Sequence, residues 1–303
     1  MYYTGFADEA SVSLAGQISA TEALGWHCIE SRCIDRINLH DLPEAKFEEV
    51  CAQLAEHNIS VDCFGSTIAN WSYDPFDEAG YAECVEKLAR AISRMHVLNC
   101  KKLRGMSFRA QWERPAFDPE VEKAVFPKLE RLVKMCEDGG VLYCHENCNN
   151  YGGQSYKHTL KMLDRIQSPA FKLIFDTGNP VFNYDRSEGD ALVKRQDAFK
   201  FYREVREFIA HVHIKDGYCD AEGVGAGQHY TFPGEGMAKV PEIVADLLKT
   251  GYDGGFSMEP HMVKVFHATE SQSGDDRAGW ENYVEYGKRF MALVEAAKKA
   301  NDK

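Results

Sequence analysis

The stretch VLYCHE at residues 141–146 is a short β-like run between two longer segments of helical period, at 118–138 and 155–166. In the first of these segments, apolar residues follow the i, i+3, i+4, i+7 spacing of a helix face, at Leu129, Leu132, Val133 and Cys136. A strand followed by a helix and then by another strand is the unit of a parallel sheet, because parallel neighbours need a long crossover connection. The stretch therefore predicts one β/α unit.

The same alternation runs along the whole chain. The predicted strands are Tyr3 to Phe6, His27 to Arg32, Ser60 to Gly65, Lys102 to Phe108, Val141 to Glu146, Lys172 to Asp176, Ala210 to Ile214 and Gly255 to Glu259. The predicted helices lie near 12–24, 44–57, 77–97, 118–138, 155–166, 189–208, 238–249 and 280–300. An open doubly wound sheet would also alternate, but eight evenly spread units favour a closed (β/α)8 TIM barrel that occupies residues 1–303 as a single α/β domain.

The composition excludes several classes of protein. The chain has 303 residues, of which 44% are hydrophobic and 27% charged, as in ordinary globular proteins. Its formal charge of -12 opposes binding to nucleic acid. No apolar run approaches the roughly 20 residues that a membrane-spanning helix needs, and the start MYYTGFADEA lacks the features of a signal peptide. We therefore expect a cytoplasmic protein with neither a nucleic-acid nor a membrane partner.

Ten cysteines are scattered through apolar segments without CxxC pairs, so we expect reduced and mostly buried thiols. The longest segment without periodicity is 215–237, which contains six glycines but neither a GxxxxGK[ST] motif nor a dinucleotide fingerprint. We expect this segment to form a mobile loop at the active site rather than a phosphate-binding loop.

The last four predicted strands end in polar segments, CHENCN, LIFDTGN, HVHIKD and SMEPH. Functional groups of α/β barrels collect at the carboxyl ends of the strands. Because side chains alternate along a strand, Glu146, Asp176, His213 and Glu259 converge if their faces look inward. Three carboxylates and one imidazole suit Mn²⁺, Co²⁺ or Mg²⁺, whereas structural zinc favours thiolates. Taken singly, each acid could be a helix cap or an ion-pair partner, and His211 or His213 a core histidine.

The order Glu, Asp, His, Glu on strands five to eight resembles the xylose-isomerase-like barrel family, which includes sugar phosphate isomerases, D-tagatose 3-epimerase and inosose-processing enzymes. The matching segments are HENCN, FDTGN, HVHIKDG and SMEPH, and the resemblance covers essentially the whole chain. It implies one divalent metal, with Mn²⁺ expected and Co²⁺, Mg²⁺ or Zn²⁺ as alternatives. It also implies the ligands Glu146, Asp176, His213 and Glu259. His213 is favoured over His211 because it lies one pleat nearer the end of the strand.

The resemblance further implies that Glu146 and Glu259 form an acid/base pair on opposite faces of a metal-stabilised enediolate. The expected function is therefore isomerisation or epimerisation of a sugar, a keto-sugar or an inosose. The expected partner is a small carbohydrate or polyol ketone. We also expect a homo-oligomer, with a subunit of a hetero-oligomer as the alternative.

Six further polar side chains near strand ends are candidates for substrate binding, although each could equally form an ordinary ion pair or a solvated rim: Glu30, Arg32, Arg104, His145, Asn179 and Lys215. Two features depart from the sugar epimerases of the family. Asn179 stands where many relatives have a substrate-binding histidine, and NCNNYGG follows strand five where they often have an acidic contact. These departures predict a pocket tuned to a different substrate.

Three other functions remain as alternatives. A lyase or dehydratase acting on a keto-inositol or a 3-oxo-glycoside would use the same first proton abstraction. A barrel subunit without catalytic activity could keep the fold and only bind metal. An abasic-site endonuclease shares the barrel, but its histidine-rich three-metal site contrasts with Cys63, Phe64 and Arg104 at strands three and four, and the acidic charge opposes DNA binding.

Overall fold

A computed structural model describes residues 1–263 and 276–301. Its main sheet has eight parallel strands, which we number one to eight in chain order: Tyr2–Gly5, Cys28–Ser31, Ser60–Phe64, Lys102–Gly105, Leu142–Glu146, Phe171–Asp176, Ile209–Ile214 and Gly255–Met258. Each of strands two to seven pairs with the next strand along the chain, and strand eight pairs on its other side with strand one. A parallel bridge between Phe6 and Glu30 joins strands one and two. The predicted (β/α)8 barrel is thereby confirmed.

The main helices follow the strands in turn and cover the outside of the sheet: Leu14–Ala23, Glu44–Glu56, Glu78–Val97, Pro119–Asp138, Tyr156–Arg165, Ala198–Val205, Val240–Lys249 and Asp276–Asn301. Five of them begin where a side-chain oxygen accepts a backbone N–H of the first turn, which offsets the missing hydrogen bonds of a helix end. The capping residues are Ser13, Asp77, Asp118, Ser155 and Asp197.

Two predicted boundaries were wrong. The helix expected at 189–208 begins only at Ala198, because Asp197 caps it and the preceding chain instead forms an antiparallel bridge between Tyr184 and Arg195. Strand four was expected to reach Phe108 but ends at Gly105. Phe108 has a φ of 64°, in the left-handed region that strands do not use.

Alternation of side chains divides the barrel into two packed regions. Tyr143, Phe175, Val212 and Phe256 belong to the large apolar core between the strands and the helices. On the opposite face of the sheet, the side chains of Cys63, Cys144 and Ile174 form a small apolar cluster inside the barrel. Two residues further along strands five and six, the inward-facing side chains are Glu146 and Asp176, so the apolar cluster lies beneath the polar residues at the carboxyl end.

The glycine-rich segment 215–237, where we expect a mobile loop at the active site, contains an antiparallel hairpin that pairs Asp216–Cys219 with Gln228–Thr231. The buried Asp216 carboxylate holds this segment by accepting backbone N–H groups of Gly217, Gly234, Gly236 and Ala238 at 2.8 to 3.2 Å. A second, smaller hairpin pairs Cys33–Ile34 with Ile37–Asn38. Gln228 and Tyr230 of the hairpin at 216–231 line the same cavity as Glu146 and Glu259 at the carboxyl ends of the strands.

All ten cysteines are free thiols; five are buried and the others are partly buried. This agrees with the expectation from their scattered, apolar positions. Among the helices that the structure describes, none combines the length and apolar character required to span a bilayer.

Candidate metal centre

The ends of strands five to eight bring four buried side chains together. One ligand atom from each of Glu146, Asp176, His213 and Glu259 lies within 4.8 Å of the others. Sheet register explains part of this convergence, since Asp176 is the direct partner of His213 across strands six and seven. Glu259 follows strand eight immediately, and its backbone N–H still donates to Ile214 at 3.0 Å. Glu146 is the last residue of strand five and pairs with Ile174, two residues before Asp176. All four side chains therefore stand at the carboxyl ends of their strands.

The spacing of these atoms fits a single divalent cation. His213 Nδ1 lies 3.6 Å from Glu146 Oε1, 3.9 Å from Asp176 Oδ2 and 3.9 Å from Glu259 Oε2. With metal–ligand bonds of about 2.0 to 2.2 Å, two ligands of one ion are roughly 3 to 4.4 Å apart. His213 Nδ1 is also buried and has no hydrogen-bond partner among the described residues. A nitrogen left in this way, facing three carboxylate oxygens, is a fitting metal donor.

The other ring nitrogen of His213 is held from below. Its Nε2 lies 3.0 Å from Glu30 Oε2. The same oxygen accepts a hydrogen bond from the Ser257 hydroxyl at 2.6 Å and lies 3.0 Å from His211 Nε2. Burial by itself lowers the pKa of His213, but the charges of Glu30 and Glu146 outweigh it and raise this pKa to about 10. Glu30 thus fixes the ring orientation, as carboxylates do for metal-binding histidines.

Asp176 presents one oxygen to the cluster and anchors the other. Its Oδ1 accepts the backbone N–H groups of Gly178 and Asn179 at 2.8 and 2.7 Å. Its Oδ2 lies 2.9 Å from Lys215 Nζ. Burial raises the pKa of Asp176 to about 7, with Glu259 and Glu146 adding to the rise and Lys215 opposing it. Oδ2 is buried and, apart from this ion pair, has no hydrogen-bond partner among the described residues, so its lone pairs are available to a cation.

The two glutamates are each paired with an arginine. Glu146 lies 3.4 Å from Arg104 Nη1 and accepts the side-chain amide of Asn179 at 3.1 Å. Arg32 Nη1 lies 3.1 Å from Glu259 Oε1. Burial raises the pKa of Glu146, but His213 and Arg104 outweigh this and lower it overall. For Glu259, burial is likewise outweighed, mainly by Lys215, and its pKa falls well below the usual range.

Of the six residues predicted to bind substrate, three line a cavity at the cluster, one lies beside it and two lie elsewhere. Arg104, Asn179 and Lys215 line a cavity of about 300 Å³ that opens above Glu146 and Glu259. Arg32 lies beside Glu259 but is held chiefly by the carboxylate of Asp8, at 2.9 Å. The remaining two, Glu30 and His145, do not line this cavity.

Glu30 lies deeper in the barrel, under His213. His145 points away from the cluster, because it neighbours Glu146 along the strand and so faces the helices. There its Nε2 lies 3.0 Å from Ser107 Oγ, and its ring packs edge-on against Phe171. The structure therefore does not bring His145 to the site.

Several groups at the site were not predicted. His261 Nε2 lies 3.4 Å from Glu259 Oε1, and its Nδ1 lies 2.9 Å from Glu9 Oε1. The segment SMEPH contains His261 two residues after Glu259, so the strand-end rule could have identified it. Trp71 and Tyr230 also line the cavity. Trp71 comes from a turn and Tyr230 from the hairpin strand Gln228–Thr231. Both lie outside the eight periodic β/α units, so the spacing of apolar residues gave no signal for their position.

The barrel with polar side chains at its strand ends defines a class of α/β-barrel proteins, and the sequence places the chain in one family of that class. The chain belongs to the xylose isomerase-like TIM barrel family, whose family model matches residues 18–291. Among characterised relatives, inosose dehydratase of Bacillus thuringiensis (strain Al Hakam) is 24% identical over 160 residues, which cover 48% of this chain and 49% of that protein. The chain thus spans about half the length of the curated relatives it matches.

Solved structures share the fold over nearly the whole chain. A D-tagatose 3-epimerase-like protein superposes with a TM-score of 0.72 at 16% identity and covers 99% of both chains. The D-allulose 3-epimerase of Methylomonas sp., in complex with D-allulose, has a TM-score of 0.67 at 18% identity over 95% of this chain and 96% of its own. A xylose isomerase-like barrel protein of Mycobacterium smegmatis, in complex with magnesium, has a TM-score of 0.65 at 16% identity and covers 92% and 89%.

Proposed function

We propose that this protein is a divalent-metal-dependent isomerase or epimerase of a sugar, keto-sugar or inosose. The convergence of Glu146, Asp176, His213 and Glu259 beneath an open cavity carries the proposal. Three oxygen donors and one nitrogen suit Mn²⁺ as the metal, with Co²⁺, Mg²⁺ or Zn²⁺ as alternatives. When bound there, a divalent cation supplies Lewis acidity that stabilises negative charge developing on the oxygens of a ketone substrate.

The proton transfers are assigned to Glu146 and Glu259. His213 and Arg104 keep the buried Glu146 carboxylate ionised. Lys215, with a smaller contribution from Arg32, does the same for Glu259. Each carboxylate is therefore ready to accept a proton from the carbon beside a carbonyl. Glu146 ends strand five and Glu259 follows strand eight, and strands six and seven lie between them in the sheet. The two side chains therefore approach the cavity from different directions. One glutamate removes the proton and the other returns one, and return to the opposite face of the planar intermediate inverts the carbon.

Dehydration or β-elimination is the second candidate, because the named relatives by sequence are inosose dehydratases. The same abstraction by Glu146 or Glu259 would then be followed by breaking of the bond between the β-carbon and its oxygen, with a proton from the newly formed carboxylic acid passing to that oxygen so that water or the aglycone alcohol leaves. Mass analysis of the product separates the two functions. A product isomeric with its substrate supports the isomerase, whereas loss of water or of an aglycone supports the lyase.

The assigned roles are tested by solvent exchange. Metal-loaded protein is incubated in D₂O with a panel of ketoses and inososes, and deuterium in recovered substrate and product is measured by mass spectrometry. Glu146→Gln and Glu259→Gln should each abolish the exchange that the wild type catalyses. Glu86→Gln, on an exposed helix position, is the matched control and should exchange normally. If either site variant still catalyses the exchange, the acid/base role assigned to that glutamate is wrong.

A further inference from the structure

Lys215 is a buried cation inside the candidate metal centre. It follows His213 by two residues, so its side chain faces the same way, and it is only 3% exposed. Its Nζ lies 2.7 Å from Glu259 Oε2 and 2.9 Å from Asp176 Oδ2. These are the same two oxygens that lie 3.9 Å from His213 Nδ1. The ammonium group therefore contacts two of the four atoms that the proposed metal would use.

The remaining oxygens of these two acids have other partners. Asp176 Oδ1 is satisfied by two backbone N–H groups, and Glu259 Oε1 lies near Arg32 and His261. Lys215 is thus the cationic side chain nearest to the inner oxygens, closer to both than His213. Without a nearby cation, two carboxylates this deeply buried would be strongly destabilised.

Resting on the proposed metal site, we propose that Lys215 is an internal counter-cation that competes with the divalent metal for Asp176 and Glu259. Metal binding displaces its ammonium group from these oxygens into the cavity, where it meets the substrate. An ammonium group and a divalent ion bound to the same two carboxylate oxygens would lie only a few ångströms apart, so their positive charges would repel each other strongly among these buried side chains.

The surroundings of Lys215 allow its side chain to move while its backbone stays fixed. Thr177 Oγ1 donates to the carbonyl of Lys215 at 2.6 Å and accepts its N–H at 3.0 Å. The side chain, by contrast, lines the cavity of about 300 Å³ together with Asn183 and Tyr230. Displacement thus needs only a change of side-chain rotamer toward open space.

Metal affinity tests the competition directly. Purified wild type and Lys215→Met are stripped with a chelator, checked for folding by circular dichroism, and titrated with Mn²⁺ by calorimetry. The variant should bind Mn²⁺ at least about tenfold more tightly, since the competing charge is gone. Lys172→Met, at the start of strand six and thus at the opposite end of the barrel, should bind like the wild type.

Equal or weaker binding by Lys215→Met would overturn the competition while leaving the proposed function intact. Absence of Mn²⁺ binding by every form, wild type included, would instead overturn the metal site itself. A second measurement uses the unaltered protein: acetic anhydride labels its lysines, and mass spectrometry compares acetylation of Lys215 with and without Mn²⁺. Displacement should raise labelling several-fold, and unchanged labelling would contradict it.

Discussion

Replacing Glu30 by Gln tests how the barrel interior supports the metal centre. Glu30 is fully buried, and its Oε2 contacts His211, His213 and Ser257 at 2.6 to 3.0 Å. Burial raises the pKa of Glu30, but the two histidines outweigh this and hold it well below its usual range. Gln keeps the size of the side chain while removing the charge that orients His213. Loss of such a supporting carboxylate weakens metal binding about 10- to 100-fold, or roughly 1.4 to 2.7 kcal/mol.

Calorimetric titration of chelator-stripped protein with Mn²⁺ measures this effect, with the folded state of each variant checked by circular dichroism. Ser257→Ala is the matched control, because it removes one contact to Glu30 and leaves those of His211 and His213. We expect the control to lose less than about threefold in affinity. If Glu30→Gln also stays within about threefold of the wild type, Glu30 does not position His213 for metal and the reasoning fails.

Three further predictions concern the scaffold. Asp197→Ala removes a helix cap and should lower the free energy of unfolding by about 1 kcal/mol in denaturant titrations; an unchanged midpoint contradicts the cap. Asp216→Ala removes the acceptor of four backbone N–H groups, so limited proteolysis should cut 217–237 faster while circular dichroism of the barrel is kept. Burial lowers the pKa of His158 from 6.5 to about 4. As pH falls below 6.5, His158 becomes protonated in the unfolded chain before it does in the folded one. The free energy of unfolding should therefore decrease by roughly 3 kcal/mol between pH 6.5 and pH 4. His158→Gln should flatten that pH dependence, whereas the same change at the exposed His57 should not.

The strands and helices were largely predictable because their signals are local. The period of apolar residues identified all eight strands, and Leu142–Glu146 and Phe171–Asp176 agree with the predicted bounds to within one residue. The failures came from local conformations that apolar spacing does not report. At Phe108 a left-handed residue ended the strand early, and before Ala198 a bridge replaced the first turns of a helix.

The sequence by itself determined that four potential metal ligands stand at the ends of consecutive strands. Alternation along a strand is a local property, so the shared inward face of Glu146, Asp176, His213 and Glu259 followed once the barrel was inferred. The same rule, applied to His145, predicts a side chain that faces the helices, as the structure has it. Alternation along the strands does not predict which charged side chains, such as Glu30 and Lys215, contact these four residues.

Closure of the barrel decided those contacts. Glu30 and His213 are separated by 183 residues, yet they lie 3.0 Å apart across the barrel. Lys215 and Glu259 are separated by 44 residues and lie 2.7 Å apart at the ends of the neighbouring strands seven and eight. Such contacts depend on sheet register and barrel curvature, which no spacing within one segment encodes. The sequence therefore determined which side chains could hold a metal. Only the tertiary structure decided that Glu30 supports His213 from below and that Lys215 lies against the metal-facing oxygens.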